Sequence, residues 1–174
     1  MSKSDVLSIR IDDKIRQALQ KESDHHKKSV NSQINQILSD YYTRYSFAKD
    51  LRWVNVFRSF FRDVLNSVDL QTIIKLSKTS GKEDLRTLIE FIYGDITAEN
   101  ILEQVEKWLD SMNDSYRHIT DGGKNKYVIT NDLGKNFAVY AVTTTESLLN
   151  EIGYKFENVT YTDNCFSFEV VKVQ

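Results

Sequence analysis

The stretch Val6-Leu7-Ser8-Ile9-Arg10-Ile11-Asp12-Asp13 alternates apolar and polar residues and then turns acidic. Alternation of period two is the mark of a strand with one buried face. Leu7, Ile9 and Ile11 fall on one side of it, and Val6, Ser8 and Arg10 on the other. Asp12 is a good helix N-cap, and Asp13 adds a second acid at the positive end of the helix dipole. Ile15, Ala18, Leu19 and Glu22 then recur at helical spacing. His25-His26-Lys27-Lys28 interrupts the apolar pattern and reads as a connection. Ser29 is a second N-cap, and Val30, Ile34, Ile37, Leu38 and Tyr41 after it make an amphipathic stripe.

The expected unit is therefore strand, helix, turn, helix. Such a unit cannot close a core alone: its strand has two unpaired edges, and two short helices cover too little apolar surface. A second copy supplies the remedy. Two strands pair as an antiparallel ribbon, and four helices cover its apolar face. The polar face, with Ser8 and Arg10 present twice, then points outward, and a two-stranded ribbon fits the DNA major groove.

From Val6 to Tyr42 the chain resembles the ribbon-helix-helix superfamily, most closely its Arc-type repressors. The likeness lies in the apolar-x-apolar-Arg-apolar pattern of the strand and in Ser29-Val30-Asn31-Ser32 opening the second helix. It covers about a quarter of the chain. The resemblance implies that the outward strand residues Val6, Ser8 and Arg10 contact bases. It also implies that the start of the second helix, Ser29, Val30 and Asn31, grips a phosphate through backbone N–H groups. Lys27 and Lys28 stand where the family usually has glycine or asparagine, and they add positive charge beside that phosphate. Elementary electrostatics points the same way, since a helix N-terminus is an anion site.

Outward from this head, the residues divide into a ribbon-helix-helix module over 1–46 and a second domain over 47–174. Residues 1–47 carry eight Lys/Arg against six Asp/Glu, whereas 48–174 carry fifteen against nineteen, a mildly basic head on an acidic body. Phe47, Leu51, Val54, Phe57, Phe61 and Val64 keep a helical stripe, so the second helix either continues through them or breaks near Ser46. Helices are expected over 69–79, 82–93 and 98–112. The period then changes to two over 115–120 and 126–131, joined by Asp121-Gly122-Gly123, a strong hairpin signal. A helix from about Gly134 to Ile152 precedes a second hairpin, 154–162 and 165–173, turning at Asp163-Asn164. The fold class is thus α+β: a β-α-α module, a helical region, and a small four-stranded antiparallel unit with helices on one face.

Few enzymatic classes survive inspection. His25 and His26 are adjacent and form no i,i+4 ligand pair, so no metal site or other cofactor is expected. Cys165 alternates with Phe166 and Phe168 and reads as a packing residue. Gly122-Gly123-Lys124 lacks the spacing of a phosphate loop. No nucleophile stands at a recognisable distance from a base, so no catalytic residue is assigned. No apolar run approaches the roughly 20 residues that cross a bilayer, and with one cysteine and no signal-like N-terminus the expected compartment is the cytoplasm. The expected function is sequence-specific transcriptional repression by a homodimer, or dimer of dimers, on double-stranded DNA. An assembly module, antitoxin-like proteins included, whose N-terminal unit only dimerises is the alternative. RNA binding on a sheet face would use Tyr127, Tyr154, Phe156 and Tyr161. The close of the chain, with Asn164-Cys165-Phe166-Ser167-Phe168, resembles the end of some prokaryotic small-molecule-sensing domains, which implies an unidentified small-molecule effector. A purely oligomerising domain fits the same residues.

Overall fold

A computed structural model describes residues 7–42, 54–112, 114–121 and 124–173. The chain divides into two compact units, residues 1–54 and 55–174.

In the first unit, helix α1 spans Asp13–His25 and helix α2 spans Val30–Asp40. Asp12 caps α1 by accepting the Lys14 N–H at 2.8 Å, and Ser29 caps α2 by accepting the Ser32 N–H at 3.1 Å. Both caps stand where the sequence places them. Between the helices, Lys27 has φ 53°, a left-handed conformation that costs a residue with a Cβ roughly 1–2 kcal/mol. The expected strand is not formed: residues 7–11 belong to no ladder. A strand is stabilised by hydrogen bonds to a neighbour, and among the described residues none pairs with this segment. Little is buried either, with Leu19, Ser23 and Gln33 below a tenth exposed.

The second unit opens with α3, Arg58–Ser67. Residues 54–57 are not helical, so the later part of the expected stripe becomes helical at Arg58; its residues 47–53 lie outside the described residues. Val54 and Val56 are β-branched, and Phe57 at the N-cap makes no side-chain cap. Next come α4, Leu70–Leu76, and α5, Lys82–Tyr93. The expected break between them is absent: Ser77–Gly81 continues the helix as a π-helical turn. Gly81 does not interrupt it because its role is close approach. A Cβ there would sit 2.8 Å from Thr144 Oγ1 and 3.1 Å from the Tyr140 ring. Helix α6, Ala98–Ser111, is capped by Thr97, whose hydroxyl accepts the Asn100 N–H at 3.1 Å.

The sheet follows: β1 Ser115–Asp121, β2 Lys124–Thr130, β3 Tyr154–Tyr161 and β4 Cys165–Lys172, with α7, Lys135–Asn150, between the two hairpins. All neighbours are antiparallel, in the order β1-β2-β4-β3. The two hairpins therefore meet through β2 and β4, with Ile129 opposite Phe166 and Tyr127 opposite Phe168. The inner face carries Tyr127, Ile129, Phe156, Phe166, Phe168 and Val170, all buried. The outer face carries Arg117, Lys126, Ser167 and Glu169, with Lys126 and Glu169 paired at 3.4 Å. Helix α7 is buried around most of its circumference, at Phe137, Val139, Val142, Leu148 and others, because it packs on the sheet and is covered in turn by α3–α5. Gly134 opens it at φ 90°, a conformation glycine adopts without strain.

One polar knot locks this unit. Arg58 donates to Asp132 at 2.6 Å, to Asp114 at 2.5 Å and to the Met112 carbonyl at 3.0 Å. Burial pushes the Asp114 carboxyl above its ordinary range and outweighs the attraction of Arg58. The more exposed Asp132, bonded to the same guanidinium, is held below that range.

Candidate nucleic-acid interface

The predicted phosphate grip is a single turn of chain. Lys27, Lys28, Ser29 and Asn31 are exposed, and Val30 is half-buried. The Ser29 side chain satisfies the Ser32 N–H and its carbonyl satisfies the Gln33 N–H. The N–H groups of Val30 and Asn31 precede the first intrahelical acceptor and point out of the helix end. The backbone N–H of Lys28 is used internally, on the Ser23 carbonyl at 2.9 Å, so its ammonium is what it offers outward. Among the predicted base-reading residues, Ser8 and Arg10 are exposed in the extended segment before α1, while Val6 lies outside the described residues. Arg10 makes no described hydrogen bond or ion pair.

The same segment displays apolar residues that a lone chain leaves in water. Leu7, Ile9, Ile11 and Ile15 on one side of α1's start, and Ile37, Leu38 and Tyr41 late in α2, are all exposed. Scattered exposed apolar residues are ordinary, but here seven large ones fall within residues 7–41.

Residues proposed for other chemistry are placed differently. Tyr127 and Phe156 are buried beneath helices, so the sheet face they share is no platform for stacked bases. Cys165 is half-buried on the face opposite Phe166 and Phe168. Among the described residues no three metal-ligating side chains converge.

A second feature had no mark in the sequence reading. His118 stacks on Tyr127 with ring centroids 4.4 Å apart. Its Nδ1 lies 2.9 Å from Glu106 Oε1 and its Nε2 2.9 Å from Asn125 Oδ1. The Tyr127 hydroxyl donates to the same Glu106 oxygen at 2.8 Å, and burial, reinforced by that bond, pushes its ionisation upward. These groups stand in an open cleft of about 570 Å³ between α6 and the inner sheet face. The available sequence signal was Glu99, Leu102, Glu103 and Glu106 on one face of α6. Nothing local says that a strand histidine meets them.

Compared with known proteins, the chain matches no family model, no curated protein and no solved structure.

Proposed function

We propose that this chain is a sequence-specific DNA-binding repressor that acts as a homodimer through a ribbon-helix-helix head. The observation that carries the reading is the uncovered apolar face of residues 7–41. Leu7, Ile9 and Ile11 alternate with Ser8 and Arg10 in a segment that has no strand partner among the described residues. Pairing with the same segment of a second copy satisfies its backbone, covers the apolar side, and leaves Arg10 facing out twice. Support also comes from the capped start of α2, where free N–H groups sit beside two unpaired lysines. In this reading Arg10 reads a base edge, with Ser8 and Val6 beside it, and the Lys27–Asn31 turn holds the backbone phosphate.

The test is a titration of the full chain against duplex DNA from upstream of its own gene and against scrambled duplex, at two salt concentrations. The reading expects selective binding that falls steeply with salt. Arg10→Ala should weaken operator binding by about 1–3 kcal/mol and leave scrambled DNA almost unaffected, while Lys28→Ala weakens both alike. Weak binding that is equal on both duplexes and indifferent to Arg10→Ala overturns the reading and favours a head that only dimerises.

A further inference from the structure

We propose that the cleft between α6 and the sheet is a binding site for a small zwitterion, a molecule carrying a protonated amine and a carboxylate on a short apolar body. The inference stands on the second unit alone and does not depend on what the head binds.

The cleft has two chemically opposite walls. On α6, Glu99, Glu103 and Glu106 follow one another at i, i+4 and i+7 and so line one helix face. On the sheet, Asn125, Tyr154 and Lys172 share the inner face, with Lys172 directly across the ladder from Tyr154. The floor is apolar: Ala98, Leu102 and Val170, with the buried Tyr127 ring beside them. A concave site with an apolar floor and a few convergent polar groups is the general form of a small-ligand pocket, and its volume falls in the usual range.

The pairing of charges decides what such a ligand carries. Beside the cleft, Lys107 has a carboxylate of its own, Glu103 at 2.5 Å, and on the opposite face of the sheet Lys126 pairs with Glu169 at 3.4 Å and Lys155 with Glu157 at 2.9 Å. Lys172 and Glu99 line one cleft, bear opposite charges, and yet among the described residues pair neither with each other nor with any other group; the Tyr154 hydroxyl likewise makes no bond among them. The unused valences therefore sort by wall. Acceptors (the Glu99 carboxylate and the second oxygen of Glu106) lie on the helix. Donors (the Lys172 ammonium, the Tyr154 hydroxyl and the amide of Asn125) lie on the sheet. An amine answers the first wall and a carboxylate the second, and charge-assisted bonds of both kinds are the strong ones. The chain His118–Glu106–Tyr127 fixes the Glu106 carboxyl before a ligand arrives, which lowers the ordering cost of binding.

The experiment uses the full chain and three probes of graded length, L-phenylalanine, γ-aminobutyrate and ε-aminocaproate. Their one-ended counterparts are phenethylamine and phenylpropionate, butylamine and butyrate, and hexylamine and caproate. Binding is read by calorimetry and by amide shifts in two-dimensional NMR. At least one zwitterion should bind and shift residues on both walls, with its one-ended counterparts weaker by roughly tenfold or more, the value of one charge-assisted bond. Glu99 and Lys172 are exposed and unpaired, so Glu99→Gln and Lys172→Gln keep the fold, and each should weaken the zwitterion by a similar factor. Glu106→Gln should weaken it further, with circular dichroism as the check on folding. The proposal is overturned if no zwitterion shifts these residues at millimolar concentration. It is overturned equally if one-ended molecules bind as well, or if Glu99→Gln and Lys172→Gln bind like the parent chain.

Discussion

In residues 55–174 the side chains of Tyr127, Phe137, Ile89 and Leu148 are wholly enclosed, and the buried set runs without a gap from α3 to β4. In residues 7–42 Leu19 is the one buried apolar side chain among the described residues, at 9 % exposure, while Ile9 and Ile15 stand at 54 % and 55 %. Both regions have amphipathic helices with sound N-caps, so local structure does not separate them. Closure does. The second unit has a sheet to receive its helices and a buried helix, α7, to fill the middle. The described residues of the first hold two short helices and a segment with no ladder. If a second copy covers the first region, as proposed, its stability depends on chain concentration, whereas that of a region that closes its own core does not.

The strongest way to break that contrast is to charge the uncovered face. Ile9→Lys should abolish self-association, and operator binding with it, while the thermal transition of the second unit stays where it was. Sedimentation at micromolar chain concentration checks this, and a variant that still sediments as the parent would remove the dimer from the account. The complementary change is Phe137→Ala, which empties the centre of the closed unit between Trp108 and Phe166. It should cost about 3–5 kcal/mol in denaturant unfolding and leave association unchanged.

A smaller effect is expected at the polar knot. Arg58→Met keeps the aliphatic stem but leaves the enclosed Asp114 carboxylate without its donor, a loss of about 1–3 kcal/mol. Because burial already raises the Asp114 carboxyl, its folded form binds a proton more readily than its unfolded form. In Arg58→Met the deficit should therefore shrink as pH falls toward 4 and reappear toward neutrality, measured as the difference in melting temperature across that range. The smallest effect belongs to Glu151, whose bonds to Lys82 and Arg86 tie the end of α7 to α5 and hold its carboxyl below the ordinary range. A depressed carboxylate stabilises the fold above its unfolded value and loses that contribution as pH falls through the folded one. Glu151→Gln should thus flatten the acid side of the stability curve slightly, as expected of a surface pair.

What the sequence by itself determined was local. Asp12 and Ser29 announced two helix starts, the Asp121-Gly122-Gly123 and Asp163-Asn164 turns marked two hairpins, and the change of period after α6 divided helices from sheet. These signals are short-range because caps, turns and side-chain alternation are decided within a few residues. The tertiary structure alone decided the rest. Residues 80–81 fall between two expected helices until α7 is seen bringing Thr144 and Tyr140 against Gly81. Residues 7–11 read as a strand, but a strand needs a neighbour, and among the described residues none pairs with them. His118, Glu106 and Asn125 meet because a hairpin folds under α6, and Lys172 and Glu99 are left unmatched across one cleft for the same reason. Such meetings depend on which distant surfaces pack together, and that is set by the burial of the whole apolar set rather than by any stretch of it.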